Sequence, residues 1–196
     1  VRTEIIQNGK VVDRTDSRFG IRYIATNPNS GFYLNGVHTK LNGVCEHSDL
    51  GSLGMETYQA AVDRRIRTLK KYGVNAIRTS HNPVSPEFIE ACDRLGMLVF
   101  EEAFDQWLYS KNSDDYHNYF NKAADGKTVV FDKAGNDNTN NDTSYIEVKR
   151  EDLQSNAERD IKAMVDRDKN APCIFAWSTG NEIYDARYKH GENTLD

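Results

Sequence analysis

Apolar residues follow two different spacings along this chain, one before about residue 40 and another beyond it. Residues 20–27 alternate apolar and polar side chains, as a half-buried strand does. Residues 31–37 predict a hairpin, because the pair Asn35-Gly36 suits a tight type I′ turn. Beyond residue 40 the pattern changes to short apolar runs separated by segments with helical spacing.

The part of the chain after residue 40 predicts strands and helices in alternation. The helical segments cover residues 57–72, a stretch from Ser85-Pro86 to Gly96, and a long amphipathic stretch around residues 153–165. The predicted strands are the four short apolar runs at residues 41–45, 74–78, 97–101 and 173–177. This alternation is typical of βαβ units and predicts an α/β fold with a parallel sheet.

Polar residues gather at the carboxyl ends of these four strands, which favours a barrel over a Rossmann fold. No glycine-rich phosphate loop follows the first strand. A (β/α)8 TIM-type barrel carries its chemistry at the carboxyl ends of its strands. The residues found there are Glu46 and His47, Arg78 and His81, Glu101, Glu102 and Asp105, and Asn181 and Glu182.

The stretch at about residues 109–145 interrupts the strand–helix rhythm and is strongly polar. A loop of this length in a compact domain is usually functional or mobile. Its position after the third predicted strand suggests the rim of an active site. A tolerated surface insertion explains the same pattern equally well.

Composition and charge exclude several classes of protein. Hydrophobic residues make up 38% and charged residues 28%, and the formal net charge is -5, so we expect a soluble domain that binds no nucleic acid. No apolar stretch approaches the roughly 20 residues of a membrane span, and the start does not resemble a secretory signal. Cys45, Cys92 and Cys173 form no CxxC pair, so buried free thiols and a reducing, cytoplasmic compartment are expected.

Three strand ends carry groups that suit carbohydrate chemistry. Arg78 and His81 need hydrogen-bonding partners, which sugar hydroxyls would supply, although a structural ion pair is the better explanation of that pattern alone. Glu101 and Glu102 lie on opposite sides of a strand, and Arg78 is the natural partner for these adjacent carboxylates. After Trp177, Asn181 and Glu182 combine an amide for a sugar hydroxyl with an acid for the leaving oxygen.

Together these segments resemble glycoside hydrolase family 2, most closely its bacterial β-galactosidases. No single segment is specific, but their combination and order are. The segments are residues 18–22 (RFGIR), 31–36 (GFYLNG), 41–47 (LNGVCEH), 78–83 (RTSHNP), 101–105 (EEAFD) and 177–182 (WSTGNE). Glu101 stands where the family more often has aspartate.

The resemblance implies a domain organisation and a set of site residues. Residues 1–27 would end a preceding β-sandwich domain or linker, and residues 28–196 would form the first half of the catalytic barrel, strands 1–4. Glu182 would be the general acid/base. The substrate-binding residues would be Asn181, His81, His47, Arg78 and Asp105, supported by Glu102 and Trp177.

The resemblance also implies what this chain lacks. The nucleophilic glutamate would lie on the seventh strand, beyond residue 196, so the isolated chain is expected to be inactive. No histidine after Asp105 matches the family's magnesium ligand, so neither a metal nor another cofactor is expected. The expected partner is a β-galactoside substrate, and the half-barrel is expected to self-associate. The alternatives are a β-glucuronidase of the same family and a non-catalytic sugar-binding or interaction module.

Overall fold

A computed structural model describes residues 1–105, 129–132, 145–148 and 150–183, with side chains for residues 1–105 and 157–183. The chain divides into two compact units. The first comprises residues 1–78, 84–100 and 167–176, and the second takes residues 79–83 and the described parts of 101–166 and 177–196.

Two small antiparallel sheets open the first unit. β1 (Arg2–Gln7) and β2 (Lys10–Asp16) form a hairpin, and β3 (Ile24–Asn27), β4 (Gly31–Leu34) and β5 (Val37–His38) form a three-stranded sheet. The predicted Asn35-Gly36 turn is confirmed, since both residues have the positive φ, 51° and 80°, that a type I′ turn requires. The pattern did not predict the first hairpin, which turns at a second Asn-Gly pair.

The strand predicted over residues 20–27 is only partly correct. β3 begins at Ile24, because the residues before it hydrogen-bond elsewhere in the first unit. The Gly20 N–H donates to the Asn170 carbonyl, and the Arg22 guanidinium donates to the carbonyl of Ile174. The segment before β3 therefore attaches to the chain around residue 172 instead of extending the strand.

In the part of the chain that the structure describes, the main sheet has four strands in the order β11-β8-β7-β6. β7 and β8 are parallel, with Ala76 opposite Leu98. The predicted α/β class with a parallel sheet is confirmed. The bounds are β6 (Gly43–His47), β7 (Ala76–Ser80), β8 (Leu98–Glu102) and β11 (Ile174–Ser178).

Each of these strands begins one or two residues later than predicted. The late starts of β6 and β7 are explained by the side chain of Asn75. Its Oδ1 accepts a hydrogen bond from the Asn42 N–H at 2.8 Å, and its Nδ2 donates one to the Lys40 carbonyl. β6 alternates between exposed and half-buried residues because it is an edge strand of this sheet.

The described residues contain three α-helices, which are α1 (Gln59–Lys71), α2 (Pro86–Leu95) and α3 (Arg150–Asp168). The predicted ends of α2 are confirmed: the Ser85 hydroxyl accepts from the Phe88 N–H at 3.3 Å, and Gly96 closes the helix with a φ of 71°. α1 packs against α2. The most buried large apolar side chains are Ile66, Ile77, Cys92, Met97, Val99 and Ile174.

In the described residues, the polar stretch predicted as an insertion contains one strand and the first residue of a second. β9 (Val129–Asp132) and β10 (Tyr145–Val148) pair antiparallel, with Tyr145 opposite Asp132. The rest of residues 109–145 lies outside the described residues, so neither interpretation of the role of this stretch is tested.

The expectation of three buried thiols is wrong at one position. Cys92 and Cys173 are buried, and burial raises the pKa of the Cys92 thiol. Cys45 is exposed, because it lies on the edge strand β6. Within the described residues, no helix combines the length and apolar composition needed to span a membrane.

We expect Gly20→Ala to lower the melting temperature. A Cβ at Gly20 would lie 2.4 Å from Cβ and Cγ of Pro172, whose ring cannot rotate away. Such overpacking costs about 1–3 kcal/mol of unfolding free energy. Gly43→Ala is the matched control, because its Cβ would meet the Ala76 carbonyl oxygen at an ordinary 3.5 Å. Equal melting temperatures for the two variants, measured by calorimetry, would contradict the close approach of Gly20 to Pro172.

Candidate active site

The predicted site residues fall into both units of the structure. His47 and Arg78 belong to the first unit, at the end of β6 and within β7. The second unit holds the remaining six, which are His81, Glu102, Asp105, Trp177, Asn181 and Glu182. Within the second unit, two sets of side-chain contacts bring predicted residues together.

The first set is centred on the carboxylate of Glu102. His81 Nδ1 lies 2.5 Å from Oε1, and the Ser178 hydroxyl donates to Oε2 at 2.8 Å. The Glu102 side chain is 1% exposed, whereas that of His81 is 21% exposed. A buried carboxylate is thus linked to a histidine ring that solvent or a ligand can reach.

Main-chain bonds hold Glu102 in place. Its N–H donates to the Thr79 hydroxyl at 2.9 Å, and the next residue, Ala103, donates to the Ser178 carbonyl at 2.9 Å. Glu101 and Glu102 are both buried. His81 and Ser178 are therefore side-chain partners of Glu102 that the sequence argument did not foresee when it assigned these carboxylates to Arg78.

The second set ties the turn after β11 to the end of β8. The Asn181 N–H donates to the Phe104 carbonyl at 2.8 Å, and Asn181 Nδ2 donates to Asp105 Oδ1 at 3.0 Å. The amide proposed to hold a sugar hydroxyl is thus anchored through the carboxylate of Asp105. A side-chain amide nitrogen of this kind can donate two hydrogen bonds.

Glu182 follows directly and is exposed. Its φ of 48° lies in the left-handed region, an uncommon conformation for a residue with a Cβ. The backbone turns sharply here, immediately after the anchored Asn181. The carboxyl group of Glu182 is therefore presented to solvent on this turn.

In the first unit, the end of β6 contributes to a small cavity of about 50 Å³, lined among others by Glu46, His47, Arg65 and Phe88. The Arg65 guanidinium donates to Glu46 Oε2 at 2.7 Å. Burial nevertheless raises the pKa of the Glu46 carboxyl, although the charge of Arg65 opposes the rise. In the second unit, the predicted site residue Trp177 lies half-buried on β11.

No group of three or more histidine, cysteine or acidic side chains in the described part of the chain is arranged to hold a metal ion. What the second unit does assemble is a set of hydrogen-bonding groups: an imidazole on a buried carboxylate, an anchored amide and an exposed carboxyl. Ser178 lies inside the 177–182 motif, but the motif analysis gave it no role. Its place beside Trp177 at a strand end was the only local sign.

The sequence of this chain matches known proteins over most of its length. Residues 26–194 match the family model described as glycosyl hydrolases family 2, TIM barrel domain. Over 181 residues the chain is 37% identical to beta-galactosidase BoGH2A of Bacteroides ovatus, covering 92% of this chain and 17% of that protein. Over 183 residues it is 35% identical to a putative beta-glucuronidase of Formosa agariphila, covering 93% and 14%.

A solved structure agrees with these sequence matches. A glycosyl hydrolase family 2 member from Bacteroides cellulosilyticus superimposes with a TM-score of 0.67 at 39% identity, over 92% of this chain and 19% of that one. The chain therefore spans less than a fifth of the length of these relatives.

Proposed function

Because this chain belongs to glycoside hydrolase family 2 and forms part of its TIM barrel domain, we propose that the protein containing it releases terminal β-linked galactose with retention of configuration. The main observation in support of this proposal is the turn that contains Asn181 and Glu182. The Asn181 backbone and amide are bonded to Phe104 and Asp105, so a carboxyl and an amide are presented together at the end of β11.

In the proposed reaction, Glu182 protonates the glycosidic oxygen as the bond to the anomeric carbon breaks. A second glutamate, assigned by the resemblance to a later strand outside residues 1–196, attacks the anomeric carbon and forms a covalent glycosyl intermediate. Glu182 then takes a proton from water, which displaces that glutamate. Retention requires the two carboxyl groups to lie about 5–5.5 Å apart.

The remaining residues bind and orient the sugar in this proposal. Asn181 holds the 2-hydroxyl, and His81 and His47 contact other hydroxyls. Arg78 orients the catalytic carboxylates, while Trp177 supports the end of β11. His81 suits its part because its side chain is reachable while Glu102 beneath it is buried.

Glucuronic acid is the second candidate sugar, since a relative with 35% identity is named a putative beta-glucuronidase. Galactose is preferred because the match to a β-galactosidase is slightly stronger, at 37%. The test is a panel of aryl β-glycosides given to the full-length protein. We expect kcat/KM for the β-galactoside to exceed that for the β-glucuronide. The reverse order would replace galactose by glucuronate, and no turnover of any β-glycoside would remove the proposed activity.

A further inference from the structure

The last two residues of β6 place their side chains on opposite faces of the strand. Val44 and Glu46 are half-buried, whereas Cys45 and His47 are exposed. Successive side chains of a strand point to opposite faces, so Glu46 lies on the face toward α1 and His47 on the other. The backbone that places the Glu46 side chain therefore also determines where the His47 side chain points.

A hydrogen bond between charged side chains attaches Glu46 to α1. Arg65 Nη1 donates to Glu46 Oε2 at 2.7 Å, and the two side chains are 27% and 18% exposed. A guanidinium only donates hydrogen bonds and is always charged, and a carboxyl oxygen is its acceptor here. The Glu46–Arg65 pair thus connects the end of an edge strand to the middle of a helix.

Apolar packing around this pair is incomplete. The cavity of about 50 Å³ at the end of β6 is lined by both Glu46 and Arg65, and also by Met55, Val84 and Phe88. A void leaves the atoms along its walls without contacts on that side. The hydrogen bond from Arg65 therefore matters more for the placement of this strand end than it would in a close-packed core.

The backbone of His47 continues directly into a braced turn. The Asp49 N–H donates to the His47 carbonyl at 2.7 Å, and the Asp49 carboxylate accepts from the Gly51 N–H at 2.6 Å. His47 thus lies between two anchored neighbours, Glu46 on its amino side and Asp49 on its carboxyl side. Releasing Glu46 from α1 would remove one of these two anchors.

We propose that Glu46 and Arg65 are positioning residues, which tie the end of β6 to α1 and so set the orientation in which His47 meets the sugar. Neither residue touches substrate in this scheme, and both act only through His47. The contact of His47 with a sugar rests on the proposed function, but the Glu46–Arg65 pair does not.

A charge-reversal series on the full-length protein tests this inference, with the aryl β-glycoside that the wild type cleaves best. Arg65→Glu opposes two acidic side chains and Glu46→Arg two basic ones, so each should raise KM about 10-fold. The value of kcat should change less than about 2-fold, because a sugar contact made equally in the ground and transition states affects KM alone. The variant with both changes restores an opposite pair, and its KM should return to within about 3-fold of the wild type.

Two milder variants decide the question if a single reversal does not fold. Arg65→Met removes the hydrogen bond without reversing a charge and should raise KM about 3-fold, whereas Arg65→Lys keeps a cation and should raise it less. In a His47→Ala background, Arg65→Met should change KM less than about 1.5-fold, because the side chain that the pair positions is gone.

The Asp63–Arg94 pair is the matched control. Asp63 also lies on α1, and Arg94 Nη2 donates to its Oδ1 at 2.5 Å, with side chains of similar exposure. This pair joins α1 to α2 instead of to β6. Asp63→Arg and Arg94→Asp should therefore lower the melting temperature while leaving KM within about 2-fold of the wild type.

The possible outcomes separate this inference from the proposed function. The inference is overturned if the changes at Glu46 and Arg65 lower only the melting temperature, if the folded double reversal keeps a raised KM, or if the control pair raises KM as much. A wild type that cleaves a glucuronide but no galactoside corrects the sugar and leaves the series intact on the new substrate. A wild type that cleaves no β-glycoside removes the function and the role of His47 with it, whereas an active wild type whose KM ignores the pair removes the inference alone.

Discussion

Replacing Glu182 by glutamine in the full-length protein should slow the cleavage of alkyl β-galactosides about 10²–10⁴-fold, the usual contribution of a general acid. An alkoxide leaves poorly without a proton, and a glutamine side chain cannot supply one. A dinitrophenyl galactoside needs little protonation, so its kcat/KM, which reports formation of the covalent intermediate, should fall far less. The measurement is kcat/KM for a series of leaving groups, plotted against leaving-group pKa for wild type and variant.

The second half of the reaction gives an independent check on the same variant. Hydrolysis of the intermediate needs Glu182 as a base, whereas azide attacks without one. Azide should therefore raise kcat for the dinitrophenyl substrate and give a β-galactosyl azide. Glu158→Gln is the control, since Glu158 is an exposed glutamate on α3. Equal slowing of all leaving groups, with no azide effect, would remove Glu182 from the acid/base role.

Local chemistry explains which parts of the fold the sequence predicted well. The ends of α2 depend on Ser85, Pro86 and Gly96, each of which acts on its own backbone or on that of a near neighbour. The Asn35-Gly36 turn is equally local. By contrast, the start of β7 depends on Asn75, whose side chain bridges to residues 40 and 42, more than thirty positions earlier. Periodicity carries no information about such a bridge.

The same distinction applies to the site. The motifs identified Asn181 and Glu182 because they stand together at a predicted strand end. The partners of these motifs come from distant parts of the chain: Asp105 lies 76 positions from Asn181, and Ser178 lies 76 from Glu102. Only folding brings these groups within hydrogen-bonding distance. That is why the sequence named Glu102 as a supporting residue but could not say that it supports His81.

The second large effect is expected in the isolated chain of residues 1–196, which should self-associate in solution. In the part that the structure describes, β6 and β11 form the two margins of the four-stranded sheet. Strand edges offer unpaired N–H and carbonyl groups to other chains, whereas a closed barrel has none. The β1–β2 hairpin adds exposed apolar side chains, including Ile5, Ile6 and Val11, that favour further contacts.

Sedimentation velocity across a dilution series, under reducing conditions, is the measurement. We expect species heavier than one chain that shift toward the monomer on dilution, as strand pairing between copies requires. Cys45→Ser is the control, because an exposed thiol on β6 would also link chains through a disulfide. The variant should associate as the parent chain does. A compact monomer with strong hydrogen-exchange protection in both β6 and β11 would contradict the prediction, because it would mean that another part of residues 1–196 covers these edges.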